Sequence, residues 1–195
     1  MNAQIEKDFQ FQAGLYFDKT LLLNTYSFTA FMEVSTDSIR EQNIAMQRVE
    51  HFLFEKLEHS IFVKDSEKKV IDKLIDAGFA VGVLPEEPFD QIIALVLISK
   101  LNALTEGRLI VTSLTMSSRL SDGVRFTENR ETANHVLGQN GWWKSGLPKL
   151  SLPEKHKTDG SKVVKMQNNE WIDLGLSWKD KSQNNNEIVF DPEKQ

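Results

Sequence analysis

The sequence predicts an α+β fold, and three observations predict it. Two runs within residues 9–34 alternate apolar and polar side chains. Residues 43–105 switch to apolar spacings of three and four, and residues 108–120 return to period two. Strands followed by a block of helices and then more strands is the pattern of an α+β domain.

In the first run Phe9, Phe11, Ala13, Leu15 and Phe17 share a face, opposite Gln10, Gln12, Gly14 and Tyr16. After a turn at Asp18-Lys19-Thr20, Tyr26, Phe28, Ala30, Met32 and Val34 repeat the pattern. Two neighbouring period-two runs on a short link predict an antiparallel hairpin. Residues 35–38 supply capping side chains for a first helix, whose apolar stripe is Ala45, Met46, Val49, Phe52, Leu53, Leu57 and Ile61. Ser66 is placed to cap a short second helix carrying Val70, Ile71, Leu74 and Ile75, with Gly78 at its end. A third helix follows Pro85-Glu86-Glu87-Pro88 and ends near Gly107. Its apolar residues, from Ile92 to Leu104, cover most of its circumference, so it is expected to be buried on several sides. Leu114, Met116, Ser118 and Leu120 then lie in phase as a strand.

Beyond residue 128 the chain is richer in Gly, Asn, Lys and Ser and holds all four tryptophans. The expected organisation is a domain over residues 1–127 and an irregular or β-rich extension over 128–195. That extension is expected to pack on the domain or on a neighbouring subunit, with strands within 163–178 and a turn at 183–186. Trp142-Trp143 is expected to cover an edge of the domain.

The net charge of −5 gives no electrostatic footprint for nucleic acid, and Lys155-His156-Lys157 is too short a basic run to supply one. No apolar run approaches the ~20 residues that span a bilayer. The N-terminus is too polar for a secretory signal, so the expected location is the cytoplasm. Without cysteine there is no disulfide, thiolate ligand or sulfur nucleophile.

Five short segments carry a resemblance: Phe11-Gln12-Ala13-Gly14-Leu15, Asn24-Thr25-Tyr26-Ser27-Phe28, Leu57-Glu58-His59, Pro88-Phe89-Asp90-Gln91 and Ser118-Arg119. In order and spacing the chain resembles the tunnelling-fold superfamily, nearest to 6-pyruvoyltetrahydropterin and 6-carboxytetrahydropterin synthases. The corresponding family motifs are Phe-Ser-Ala-Ala-His, His-Gly-His, Leu-Asp-His, Pro-Thr-x-Glu-Asn and a ring-gripping Glu-Thr. The resemblance implies an antiparallel sheet with helices on one face, assembled into a homo-oligomer with pockets between subunits.

Where the family carries three zinc-binding histidines, this chain has Leu15, Asn24 and Tyr26. Catalytic zinc requires three imidazole, carboxylate or thiolate ligands and an open position, so no metal or other cofactor is expected. Of the four histidines, His51 and His59 stand two turns apart on one expected helix, too far apart to share an ion. By resemblance, His59 is the candidate proton-transfer residue, with Glu58 where the family has aspartate. Asp90 and Gln91 are candidates to hold the N–H edge of a pterin- or purine-like ring. Ser118 stands where the family's ring-gripping glutamate would be, and Glu106 is a substitute for it. Three readings follow: a repurposed ligand-binding protein of this fold, a metal-independent enzyme acting on a pterin or purine, and a ring-forming structural protein without a small ligand.

Overall fold

The computed structural model describes residues 3–138, 140–150 and 170–178. A long hairpin organises the fold. Strands β1 (Gln4–Phe17) and β2 (Thr20–Val34) pair antiparallel from Gln4↔Glu33 to Phe17↔Thr20. Asp18 and Lys19 close it with φ of 45° and 61°, the double positive φ whose twist matches that of the flanking strands. Both strands run further than their apolar alternation suggests, because β1 begins in charged residues such as Glu6 and Lys7 that pair through their backbone.

The sheet has six strands in the order β4-β3-β1-β2-β5-β6. Strand β5 (Leu109–Ser118) pairs antiparallel with β2, and β6 (Phe126–Asn129) pairs antiparallel with β5. On the other side of β1 lie two four-residue parallel strands, β3 (Ile61–Lys64) and β4 (Val81–Leu84). The four-stranded antiparallel core is thus extended into a mixed sheet. The apolar alternation of β1 and β2 faces one way: Phe9, Phe11, Ala13, Tyr26, Phe28, Ala30 and Met32 are all buried in one core.

Helix α1 (Ile39–His51) is capped by Ser38, whose side chain accepts the Glu41 N–H at 3.3 Å. It continues as a π-helical turn, Phe52–Leu57, that buries Phe52, Leu53 and Leu57. The turn stops at Glu58, so Ile61, expected on the first helix, belongs instead to β3. Helix α2 (Lys68–Asp76) starts after Glu67 without a side-chain cap, rather than on Ser66. It crosses from β3 to β4 and packs against Ile61, Val63 and Val81, while Phe62 and Leu84 point into the main core. Such alternation puts α2 on the face of the parallel strands opposite the other helices.

Helix α3 (Asp90–Thr105) is buried nearly all round, as its composition requires. It packs on β5 and β6, on helix α4 (Arg130–Val136), on α1, and on a 3-10 turn at Trp142–Lys144. Lys100, fully buried on α3, donates to the carbonyls of Trp142 (3.1 Å), Ser145 (2.9 Å) and Leu147 (2.6 Å). This one side chain ties the loop to the helix. Trp142 and Trp143 are both buried, and Trp142 Nε1 donates to the Val83 carbonyl at 2.8 Å.

The last described segment folds back onto α1. It contains a helical turn, α5 (Glu170–Asp173), where strands were expected. Arg48, 2% exposed, lies 4.6 Å from the Trp171 ring and 3.7 Å from the Trp178 ring. Its Nε donates to the Leu176 carbonyl at 2.8 Å. The rest of the strands expected within 163–178, the turn at 183–186 and Lys155-His156-Lys157 lie outside the described residues. No helix among the described residues is long and apolar enough to cross a membrane.

Candidate functional site

The start of β2 and the start of α3 meet at one end of the sheet. Asn24 pairs with Ala13 in the hairpin and is 2% exposed. Its Oδ1 accepts two backbone N–H groups, from Thr25 (3.0 Å) and Leu120 (3.2 Å). Those bonds fix the orientation of the amide: Oδ1 faces the backbone, and Nδ2 is left buried with no hydrogen-bond partner.

Two residues along β2, Tyr26 is fully buried and stacks on Phe11, with ring centroids 5.0 Å apart and planes 16° from parallel. Its hydroxyl, next to the Asn24 side chain, makes no hydrogen bond of good geometry. Burial above all holds the phenol above its usual range; the neighbouring Asn24 pulls it back, and the charge of Asp90 adds to the rise.

Asp90 is the first residue of α3. Phe89 at the N-cap offers no side-chain acceptor to the free N–H groups of the first turn, which makes this end of the helix favourable for negative charge. Burial nevertheless raises the Asp90 carboxyl above the ordinary aspartate range, while Ser118 and Ser121 pull it down. Its Oδ2 is buried without a hydrogen bond of good geometry. Ser118 ends β5, and its N–H donates to Ser121 Oγ at 3.0 Å, which fixes the turn beneath Asp90.

A cavity of about 410 Å³ opens over these groups. Its walls include Leu15, Phe17, Phe89, Leu120 and Phe126, and its polar lining is Asn24, Asp90, Gln91 and Ser121. The volume suits a small organic ligand. Phe89, Leu120 and Val124 remain about half exposed at its margin, and Phe17 and Phe89 form an aromatic pair at 5.4 Å.

Zinc does not fit this end of the sheet. Leu15 has no donor atom, Asn24 Oδ1 is committed to two backbone N–H groups, and the Tyr26 phenol keeps its proton. Nor do three His, Cys, Asp or Glu side chains gather into a metal-binding group among the described residues.

The structure brings Asp90 and Gln91 together at the cavity and places Ser118 beside Asp90. It does not bring the remaining candidates there within one chain. His59 is exposed, with φ of 62°, and its N–H donates to the Gln12 carbonyl at 2.7 Å. Glu58 caps the π-helical turn through its own N–H, bonded to Leu53. Neither lines the cavity. Glu106 lies at the opposite end of α3, ~24 Å away at 1.5 Å per residue. There it accepts from Arg48 Nη1 at 2.9 Å and from Trp178 Nε1 at 2.8 Å. Asn24 is the residue that sequence reasoning considered only as a failed metal ligand. Its polarity amid an apolar alternation was the available signal.

No family model matches the chain, and no curated protein sequence matches it. Among solved structures the chain is similar to the uncharacterized protein WS1659 from Wolinella succinogenes, at 13% identity and a TM-score of 0.47, over 67% of this chain and 99% of that one. It is also similar to the 6-pyruvoyltetrahydropterin synthase of Plasmodium vivax, at 12% identity and a TM-score of 0.44, over 67% and 98% of the two chains. A catalytic-residue mutant of the same enzyme gives 12% identity and a TM-score of 0.43 over the same shares.

Proposed function

We propose that this chain is a divergent, metal-independent protein of synthase-like tunnelling fold that binds a planar pterin- or purine-like heterocycle at Asp90 and Gln91. The observation that carries this reading is the cavity itself. Apolar and aromatic walls close over a half-buried carboxyl and an amide, which is how small flat ligands are gripped and oriented. The exposed apolar margin at Phe89, Leu120 and Val124 favours completion of the site by a second copy in a homo-oligomer. In that assembly His59 and Glu58 of a neighbouring copy are the groups proposed to reach the ligand.

The test is a thermal-shift screen of pterins and purines on the full chain, followed by calorimetric titration of the best compound into wild type and Asp90→Ala. A charge-assisted hydrogen bond contributes roughly 1.5–3 kcal/mol, so the variant should bind at least about tenfold more weakly. It should melt no lower than wild type, because it removes a carboxyl that burial already disfavours. If no compound shifts the melting temperature, or Asp90→Ala binds equally well, Asp90 is only an acidic helix start.

A further inference from the structure

Four polar atoms at the end of the sheet make no hydrogen bond of good geometry, Asn24 Nδ2, Tyr26 OH, Asp90 Oδ2 and Ser118 Oγ, though Asn24 neighbours the Tyr26 hydroxyl and Asp90 neighbours the Ser118 and Ser121 hydroxyls. Buried polar groups are almost always paired, and each one left unpaired costs free energy. Two of these four belong to residues that line the cavity, Asn24 and Asp90. Asn24 is the more informative of the two. It is 2% exposed, and its Oδ1 is held by two backbone N–H groups, so the amide cannot flip and Nδ2 is fixed as a donor. Asp90 lines the same cavity, and its Oδ2 is an acceptor in the ionised form. One fixed donor and one acceptor at the base of an apolar cavity complement a ring edge that carries an acceptor next to an N–H.

We infer that Asn24 and Asp90 together read such an edge, Nδ2 donating to the ring's acceptor and the Asp90 carboxylate accepting from the adjacent N–H. This rests on the heterocycle-binding reading and deepens it: it assigns Asn24 a binding role and names the edge that is recognised. Two kinds of ring supply the edge, a lactam (C=O beside a ring N–H) and an amidine (ring N beside an exocyclic N–H).

The experiment is calorimetric titration of three matched purines into the full wild-type chain. Hypoxanthine carries the lactam edge, adenine carries the amidine edge, and unsubstituted purine offers neither at its six-membered ring. Hypoxanthine or adenine, or both, should bind at least tenfold more tightly than purine, and the stronger of the two identifies the source of the edge. Asn24→Asp keeps an oxygen for Thr25 and Leu120 but replaces the donor with an acceptor, and it should erase the preference. Equal binding of all three purines overturns the paired reading by Asn24 and Asp90 while leaving the heterocycle reading standing. If none of the three binds, and no pterin does either, both fall together and the unpaired atoms hold water only. Should Asn24→Asp fail to fold, the wild-type ligand series still decides.

Discussion

Replacing Arg48 with lysine keeps the charge and removes the geometry. The guanidinium lies between the rings of Trp171 and Trp178, at 4.6 and 3.7 Å, with 2% of the residue exposed. A desolvated cation–π contact of this kind contributes about 2 kcal/mol. Arg48 also donates to the carbonyls of Leu176 (2.8 Å) and Leu104 (3.2 Å) and to Glu106 Oε1 (2.9 Å). A lysine ammonium, as a point charge, cannot span all three positions. The Glu106 side chain is 45% exposed, so its ion pair adds under about 1 kcal/mol. At least one carbonyl loses its donor, at a cost of about 1–3 kcal/mol. The expected loss for Arg48→Lys is therefore about 2–4 kcal/mol, some 4–16 °C in melting temperature for a chain of this size. Urea denaturation followed by circular dichroism measures it, and tryptophan fluorescence reports whether Trp171 and Trp178 become wet in the native state. A loss below about 0.5 kcal/mol, the range of an ordinary surface substitution, would refute the view that Arg48 anchors residues 170–178.

Three further outcomes are expected. Gly82→Ala places a methyl 2.8 Å from Phe62 Cδ1, an overpacking expected to cost about 1–3 kcal/mol in chemical denaturation; an unchanged midpoint contradicts it. Burial lowers the Lys100 amine from 10.5 to about 7, so between those values the folded chain binds fewer protons than the unfolded one. Stability should then rise from pH 7.5 to 9 by about 1–2 kcal/mol more than in Lys100→Met; parallel pH profiles show that the three carbonyls hold the proton throughout. Equimolar zinc added to tag-free, chelator-treated protein should leave its melting temperature unchanged, since Leu15, Asn24 and Tyr26 offer no ligand set; a stabilisation that follows zinc concentration to one ion per chain places a metal site elsewhere.

The long elements were legible because each buries a whole face. Phe9 to Leu15 and Tyr26 to Met32 alternate into one core, and the continuous apolar surface of α3 meets neighbours on every side. Strands β3 and β4 were not legible. Ile61-Phe62-Val63 buries both faces, so it shows no alternation, and Ile61 falls in phase with the preceding helix. The π-helical turn hides in the same way, since Phe52, Leu53 and Leu57 satisfy a three-and-four spacing equally well. At the site, Asp90 and Gln91 are singled out only through the family resemblance at Pro88-Phe89-Asp90-Gln91, since the local pattern shows no more than an acidic helix start. The use of Glu106 for Arg48 and Trp178 depends on contacts 58 and 72 residues away in sequence, which no local pattern encodes.

The sheet is held very unequally on the two sides of β1. Toward β2 it is zipped along fourteen residue pairs, from Gln4↔Glu33 to Phe17↔Thr20. Toward β3 the ladder is only two pairs long, Gly14↔Ile61 and Leu15↔Phe62, extended by the bonds from Gly14 N–H to the Ser60 carbonyl and from His59 N–H to the Gln12 carbonyl. Opening of the β3–α2–β4 unit breaks few ladder bonds, but it must also withdraw Phe62 and Leu84 from the core and release Trp142 from the Val83 carbonyl; it is expected as a sub-global opening below the cost of complete unfolding. Amide protons of residues 61–84 should exchange through that opening, and those between β1 and β2 only when the whole chain unfolds. Leu15 lies both on the weak seam and in the cavity wall. A ligand seated against Leu15 would thus protect residues far from its own contacts, and slowed exchange in β4 would report occupancy of the cavity from the opposite edge of the molecule.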